Sequence, residues 1–189
     1  MTERRTRAEL EAGLARVLAS PADDGVLEAI VIRPGPGARR DVESAKISLA
    51  GGVEGDRWFR GGGLKTDDGQ PHPDVQICIM NARCIELIAG ARDNWSLAGD
   101  NLFVDLALDP ENLPPGTRLA IGSAIIEITA VAHTGCDRFA ARYGREACVF
   151  VNVGAGKRHR LRGVYARVVR DGRVSVGDRI RKLAGDAAA

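Results

Sequence analysis

Cys136 is the residue whose neighbours best suit nucleophilic or metal-binding chemistry. It follows a strongly apolar, strand-like run at residues 124–131 and precedes a helix-like run. Backbone N–H groups are free where a strand gives way to a helix, and they stabilise a thiolate. The nearby imidazole of His133 and the positive charge of Arg138 would lower the pKa of the thiol further. We therefore predict that Cys136 is the reactive cysteine of this chain.

The other three cysteines lie in apolar surroundings. Cys78 alternates with isoleucines, Cys84 belongs to a short helix-like run, and Cys148 is followed by valine and phenylalanine. Such positions are typical of small buried side chains. The four cysteines have no regular spacing, so the sequence does not predict a disulfide framework.

The pair His133 and Cys136 also permits two other kinds of site. A zinc site would require a second pair of ligands, and His72 and His159 stand alone in the sequence. A catalytic cysteine–histidine dyad is the second kind, although the members of such dyads usually come from distant segments. The residues alone leave both interpretations open.

Two glycine-rich segments and one basic run are candidates for anion binding. Segment 51–57 surrounds acidic and basic residues with glycine, which indicates a tight turn that holds Arg57 ready for an anion. Segment 61–66 lacks the Gly-Lys pair of a phosphate-binding loop, so we interpret it as a flexible loop beside the site. The basic run 157–162 is either a solvated loop or an attractant for phosphate or an acidic partner.

The composition indicates one ordinary globular domain. The 189 residues are 44% hydrophobic and 28% charged, and the net charge is +2. This charge is too small to predict nucleic-acid binding, and the basic run has no interleaved aromatic residues that could stack on bases. No apolar run is long enough to span a bilayer, and the first residues lack the apolar core of a signal peptide. We expect a cytoplasmic protein that binds neither nucleic acid nor membranes.

Hydrophobic periodicity predicts one helix followed by many short strands. Residues 7–19 have helical spacing of apolar residues, and Asn81 is expected to cap a second, short helix. Turns at 122–123 and 171–172 indicate two hairpins. We therefore predict a mostly β fold with a few short helices, in which the strands form a mostly antiparallel barrel. The predicted strands are 26–32, 44–49, 75–80, 101–105, 117–121, 124–131, 164–169 and 173–176.

Six segments, in this order, resemble the MOSC domain, a family named for the C-terminal domain of molybdenum-cofactor sulfurase. They are Gly51–Trp58, Val75–Met80 with the helix that follows, Gly99–Leu102, Leu113–Gly122, Cys136, and Gly163–Val168 with Val176–Asp178. The resemblance covers residues 26–183. Many members have proline before the cysteine and lysine two residues after it, where this chain has Gly135 and Arg138.

The resemblance implies a MOSC-type antiparallel β-barrel at residues 25–184, preceded by an N-terminal helix and linker at 1–24 and followed by a flexible tail at 185–189. It also implies that Cys136 ligates molybdenum or carries sulfur, and that the chain binds a molybdopterin-type molybdenum cofactor. Arginine donors suit the phosphate of such a cofactor. The residues expected to bind it are Arg57, Asn101, His133, Thr134 and Arg138.

Three functions follow from these observations, and we favour the first. The first is a molybdenum-cofactor-binding protein, either a reductase or a sulfurtransferase, with Cys136 as its reactive ligand and a redox partner. The second is a metal-free sulfur carrier that receives persulfide sulfur from a cysteine desulfurase, in which case pyridoxal phosphate belongs to that partner. The third is a non-catalytic domain that binds an acidic partner through the basic run 157–162.

Overall fold

The computed structural model describes residues 4–61 and 63–184. The predicted tail at 185–189 lies outside the described residues. Within them the chain forms eleven β-strands and five α-helices, joined by loops and short 3₁₀ segments. The strands are β1 (Gly25–Ile32), β2 (Arg40–Val42), β3 (Ser44–Ser48), β4 (Gly52–Val53), β5 (Ile77–Asn81), β6 (Leu102–Asp105), β7 (Arg118–Ile121), β8 (Ala124–Ile128), β9 (Val164–Arg170), β10 (Gly172–Ser175) and β11 (Arg179–Lys182). The helices are α1 (Arg7–Leu18), α2 (Ala82–Ala89), α3 (Asp137–Tyr143), α4 (Arg145–Asn152) and α5 (Ala155–Arg158).

Seven of these strands close into a barrel. In order around it they are β11, β7, β8, β9, β5, β6 and β1, and β11 pairs with β1 to complete the circle. The closing pair joins Gly25 to Ile180 in antiparallel register. Closure satisfies the backbone groups that an open sheet would leave at its two edges. The predicted β-barrel is confirmed for the part of the chain that the structure describes.

One strand pair of the barrel is parallel. β5 and β6 run in the same direction, with Ile79 opposite Leu102 and Met80 opposite Phe103. A parallel pair cannot be joined by a hairpin and requires a crossover connection. Here α2 and the 3₁₀ segment Arg92–Ala98 form that crossover. The predicted antiparallel arrangement holds for the other pairs around the barrel.

The hairpin predicted at residues 171–172 is wrong. β10 leaves β9 and pairs with β3, in a second sheet of order β10-β3-β4. The carboxylate of Asp171 accepts a hydrogen bond from the N–H of Leu49, which ties the turn to the end of β3. A Cβ at Gly172 would lie 2.4 Å from the backbone nitrogen of Ala124, so the chain passes closely over the start of β8. The turn therefore carries the chain from one sheet to the other.

Apolar side chains pack in two layers, one inside the barrel and one between the barrel and its helices. Ile30 and Ile77 are fully buried in the inner layer. Leu10 of α1, Phe103 of β6 and Phe139 of α3 meet in the outer layer. The helices therefore cover one side of the barrel. None of the described helices is both long and apolar enough to cross a membrane.

The segment after β8 carries the predicted reactive cysteine. Residues 129–136 have no regular structure, and Cys136 is the N-cap of α3. Phe139 and Tyr143 anchor α3 in the outer apolar layer, with their ring centroids 4.9 Å apart. The helical run expected after Cys136 is therefore confirmed, whereas α4 and α5 were not predicted.

Gly163 lets the chain before β9 pass close to β5. Its φ of +108° lies in the region that favours glycine. A Cβ at this position would lie 2.1 Å from the carbonyl oxygen of Ile79 and 3.3 Å from Nδ1 of His133. A side chain here would therefore push the two strands apart and displace His133.

We expect Gly163→Ala to lower the free energy of unfolding by at least about 2 kcal/mol, because steric overlap adds to an unfavourable φ. Gly116 offers a matched control, since its φ is +91° and no atom lies within 4 Å of a Cβ placed there. Gly116→Ala should cost only about 1 kcal/mol. Urea unfolding monitored by circular dichroism measures the free energy of unfolding of both variants. Equal decreases in the two variants would contradict the close approach at Gly163.

Candidate functional site

A buried ion pair lies at the centre of the candidate site. Arg33, directly after β1, donates hydrogen bonds from Nε and Nη2 to the two carboxylate oxygens of Asp56, at 2.8 and 2.9 Å. The side chain of Arg33 is 13% exposed and that of Asp56 is 1% exposed. Asp56 also accepts hydrogen bonds from the N–H groups of Arg33 and Trp58. These bonds fix the glycine-rich turn 51–57 against the end of β1.

The ion pair leaves Arg57 available. Burial by itself would raise the pKa of Asp56, but the hydrogen bonds and charge of Arg33 outweigh burial and hold that pKa below its usual value. The carboxylate is therefore ionised at neutral pH and committed to Arg33. The guanidinium of its sequence neighbour Arg57 has no hydrogen bond or ion pair with any described residue.

Asn101 joins the ion pair to the barrel. Its side chain is fully buried, and Oδ1 accepts hydrogen bonds from Nη2 of Arg33 at 3.0 Å and from the N–H of Cys78 at 3.1 Å. Nδ2 donates to Asp56 and to the carbonyl of Val31. Both the oxygen and the nitrogen of this amide are thus occupied by hydrogen bonds within the protein. Asn101 orients the ion pair and does not open onto the surface.

Further arginines converge beside Gly99. A Cβ on Gly99 would lie 3.3 Å from Nη2 of Arg39 and 3.8 Å from Nη1 of Arg142. Burial lowers the pKa of Arg39, and the positive charges of its arginine neighbours lower it further; these are Arg142, Arg33 and Arg57. Nε of Arg39 is buried and has no hydrogen-bond partner within residues 4–61 and 63–184. We call Arg39, Arg57 and Arg142 the arginine cluster. Like charges held together in this way attract an anion.

Next to Gly99, Asp100 connects the barrel to His133. Asp100 is fully buried and accepts hydrogen bonds from Nη1 of Arg162 at 3.0 and 2.8 Å. Nδ1 of His133 lies 3.6 Å from Oδ1 of Asp100, too far for a hydrogen bond. Burial, followed by the charges of Arg162 and Arg33, lowers the pKa of His133 well below its usual value. His133 is therefore neutral at pH 7 and does not supply the charge that was expected to activate Cys136.

A cavity of about 390 Å³ lies beside His133. Thr134 lines this cavity from the loop before α3, Asn152 from α4, and Lys157 from α5. The structure thus brings two of the predicted cofactor-binding residues, His133 and Thr134, to one cavity together with a lysine of the basic run.

The basic run 157–162 is only partly exposed. Lys157 and Arg158 are exposed at the end of α5. Arg160 donates a hydrogen bond to the carbonyl of Leu113 at 2.8 Å, and Arg162 is buried against Asp100. The run is therefore not a uniform basic surface.

Cys136 is exposed and its side chain makes no capping hydrogen bond. Asn152 holds the preceding residue in place: the N–H of Gly135 donates to Oδ1 at 2.8 Å, and Nδ2 donates to the carbonyl of Gly135 at 3.0 Å. A proline at position 135 has no N–H and would lose the first of these bonds. Arg138 is exposed and makes no hydrogen bond or ion pair in the described part of the chain.

The other cysteines differ from one another more than the sequence predicted. Cys78 and Cys84 are buried as expected, and burial raises the pKa of both thiols, that of Cys84 to about 12. The prediction that Cys148 is buried is wrong, because it is only partly buried. Its Sγ lies 3.4 Å from the position of a Cβ on Gly135, so Cys148 faces the loop that carries Cys136.

Sequence reasoning missed most of the charged residues that hold the site together. Arg33 and Arg39 belong to no motif, and Arg162 was part of a basic run interpreted either as a solvated loop or as an attractant for phosphate or an acidic partner. The available signal was the position of polar residues at strand ends, with Arg33 directly after β1 and residues 99–101 directly before β6. Among the described residues, no group of three or more His, Cys, Asp or Glu side chains could hold a metal ion, so these residues offer no zinc site of that kind.

The sequence matches the family model described as MOSC domain over residues 70–181. No curated protein matches the sequence at a significant level.

Solved structures share the fold at low sequence identity. The YuaD protein from Bacillus subtilis is 18% identical with a TM-score of 0.57, and the alignment covers 82% of this chain and 93% of that chain. YiiM from Escherichia coli is 17% identical with a TM-score of 0.53, covering 87% of this chain and 72% of that chain. YiiM from Geobacillus stearothermophilus is 14% identical with a TM-score of 0.55, covering 87% and 78%. At these identities the likeness concerns the fold.

We expect Asp56→Asn to lower the free energy of unfolding by about 3–5 kcal/mol at pH 7, because Arg33 is then buried without its counter-charge. The pKa of Asp56 is depressed in the folded state. Its stabilising contribution is therefore fully present above the unfolded-state pKa of about 3.9 and is lost as the pH falls through the lower folded-state pKa. Urea titrations at pH 7 and at successively lower pH measure the free energy of unfolding of both proteins. The difference between wild type and variant should become smaller below about pH 4.

Asp41→Asn serves as the control for this measurement. Asp41 pairs with Arg92 at 3.1 Å, and the two side chains are 52% and 42% exposed. Loss of such an exposed pair should cost less than about 1 kcal/mol. If Asp56→Asn lowers the free energy of unfolding by as little as this control does, the buried ion pair contributes little to stability.

Proposed function

Because the chain belongs to the MOSC domain family, we propose that it binds a molybdopterin-type molybdenum cofactor, with Cys136 as the sulfur ligand of the metal. The observation that carries the proposal is the combination of an exposed thiol at the start of α3 with an arginine cluster that has no ion pair among the described residues. A soft thiolate suits a transition metal, and guanidinium groups suit a phosphate.

Residues 99–101 provide one connection between the arginine cluster and the cysteine loop. Gly99 lies against Arg39 and Arg142. The next residue, Asp100, lies against His133, which precedes Cys136 by three residues.

Helix α3 provides a second connection. Cys136 is its N-cap and Arg142 lies in its last turn. At about 1.5 Å per residue, the two positions are about 9 Å apart along the helix. In this proposal the thiol and the cluster hold the two ends of one elongated ligand.

One buried polar atom supports the fit of an anionic ligand that forms hydrogen bonds. Nε of Arg39 lacks a hydrogen-bond partner among the residues described. A buried polar group without a partner costs free energy, which a bound ligand can recover.

The predicted cofactor-binding residues have different roles in this proposal. Arg57 and Arg138 offer charge-assisted hydrogen bonds to the anionic end, because no described residue pairs with either guanidinium. His133 and Thr134 line the cavity of about 390 Å³ together with Lys157. Asn101 acts indirectly, by orienting the buried ion pair against which the cluster packs.

When bound, the cofactor would supply two-electron redox chemistry at its metal. The contribution of the chain is to hold that metal through Cys136 on an exposed loop, where a substrate or a redox partner can reach it. Neutral His133 adds no charge of its own beneath the loop.

The second candidate function is a metal-free sulfur carrier. The exposure of Cys136 and of its neighbours Asp137 and Arg138 favours it, because another protein can reach such a thiol. A pyridoxal-phosphate-dependent cysteine desulfurase would then deliver the persulfide sulfur, and that cofactor would belong to the partner. Binding of an acidic partner through the basic run has less support, since Arg162 is buried.

We expect protein incubated with molybdenum cofactor and desalted to retain stoichiometric molybdenum, and Cys136→Ser to retain none while staying folded. Cys84→Ala is the matched control, because it removes a buried thiol that faces the carbonyl of Leu161. Inductively coupled plasma mass spectrometry and a cyanide-labile sulfur assay on the same samples provide the readout. Labile sulfur without molybdenum would favour the sulfur carrier. Full metal and sulfur contents in Cys136→Ser would contradict both functions.

We expect Arg57→Ala, Arg138→Ala and Arg39→Ala each to weaken cofactor binding. A charge-assisted hydrogen bond contributes about 1.5–3 kcal/mol, so each loss should raise the Kd by roughly one to two powers of ten. The control is Arg7→Ala, which removes an exposed arginine paired with Glu11 on α1. Titrations of the free cofactor at fixed salt measure the four values. If all four variants bind as wild type does, the arginines do not hold the cofactor.

A further inference from the structure

Cys148 and Cys136 lie close together although they are twelve positions apart in the chain. Sγ of Cys148 is 3.9 Å from the carbonyl oxygen of Cys136. A carbonyl oxygen lies about 2.4 Å from its own Cα, so this sulfur is within about 6.3 Å of the Cα of Cys136. Because that bound runs from a sulfur to a Cα, the two Cα atoms lie within about 9 Å of each other, whereas disulfides place Cα atoms about 4.4–6.8 Å apart. Rotation of the two side chains and a backbone shift of up to about 2–3 Å around Cys136 would bring the sulfur atoms together.

The backbone shift would come from the irregular segment before α3. Residues 129–136 form no regular structure, and Asn152 of α4 contacts this segment through two hydrogen bonds with Gly135. Cys136 itself is the N-cap of α3 and Cys148 lies on α4, so each thiol is placed by a helix.

These two thiols are also the accessible ones among the described residues. Cys136 is exposed and Cys148 is partly buried, whereas Cys78 and Cys84 are buried and burial raises the pKa of both. Reactivity of a thiol follows its exposure and its thiolate character. An oxidant should therefore reach Cys136 first and find Cys148 as its nearest available partner.

Asn152 serves both members of the pair. Its Nδ2 lies 3.5 Å from Sγ of Cys148 and donates to it, and the same amide holds Gly135 beside Cys136. Asn152 therefore holds the backbone next to Cys136 beside the sulfur of Cys148.

We propose that Cys136 and Cys148 form a reversible disulfide when a peroxide oxidises Cys136. Peroxide oxidises the Cys136 thiol to a sulfenic acid and is itself reduced to water. The Cys148 sulfur then attacks the Cys136 sulfur, the S–S bond forms, the S–O bond breaks, and the departing hydroxide takes the remaining thiol proton as water. A dithiol reductant supplies the two electrons that restore both thiols.

The disulfide would remove Cys136 from metal ligation or sulfur transfer. This consequence rests on the function proposed above, whereas formation of the disulfide does not. Disulfides in a reducing compartment are typically transient and serve catalysis or redox sensing. The pair would thus make ligand binding depend on the redox state, and protect Cys136 from irreversible oxidation.

The test uses the ligand-free protein and hydrogen peroxide, followed by intact mass and non-reducing peptide mapping. Wild type should lose the mass of two hydrogen atoms and yield a linked Cys136–Cys148 peptide, which dithiothreitol reverses. Cys148→Ser should instead accumulate sulfenic acid at Cys136, with dimedone labelling at least about tenfold above wild type. Cys84→Ala should form the disulfide as wild type does. Asn152→Leu should form it several-fold more slowly, because this substitution removes the hydrogen bonds to Cys148 and Gly135.

Several results would overturn the proposal. They are sulfenic or sulfinic acid at Cys136 of wild type with a free Cys148 thiol, an intermolecular disulfide, or four intact thiols under conditions that oxidise free cysteine. A separate measurement of molybdenum uptake by the oxidised and the reduced protein addresses the consequence. An intramolecular disulfide in a protein that takes up no molybdenum in either state would retain this proposal and reject the molybdenum function.

Discussion

Arg33 and Asp56 meet where water barely reaches, and either charge would be costly there without the other. Their mutual dependence has structural consequences well beyond the two residues. Asp56 can satisfy Arg33 only if the glycine-rich turn folds back against β1, and Asn101 can bridge them only if β6 begins at the correct register beside β5. The pair also contacts Cys78 through Nη1 of Arg33, at 3.3 Å. One ion pair thus links the turn and three strands of the barrel.

Some charged groups of the site are held in buried ion pairs, and others have no partner of opposite charge. The carboxylates of Asp56 and Asp100 are each taken by a buried arginine, Arg33 and Arg162 respectively. No described carboxylate forms an ion pair with Arg39, Arg57 or Arg142, so the arginine cluster keeps an excess of positive charge. The electrostatic character of the site therefore follows from the pairing beneath it. An anion would meet donors that no acid of the protein has already occupied.

The barrel could be predicted because its strands are short, apolar and bounded by turns, signals that are local in the sequence. The parallel pair β5–β6 and the partner of β10 could not be predicted, since both depend on contacts between distant segments. The same division applies to the site. Cys136 was predicted from its sequence neighbours and is exposed, whereas the environment of Cys148 depends on how α4 packs against Gly135. The neutral state of His133 likewise arises from burial beside Arg162, which its sequence neighbours do not reveal.

The seam of the barrel joins parts of the chain that are synthesised far apart in time. Arg179 at the start of β11 bonds to Asp24 beside β1, and 155 positions separate them. Bringing such distant segments together costs loop-closure entropy and slows folding. The start of β1, at Gly25 and Val26, therefore lacks this partner until β11 has emerged from the ribosome, whereas the end of β1 has β2 beside it early. Closure of the barrel that carries the candidate site is accordingly one of the last steps in the maturation of the chain.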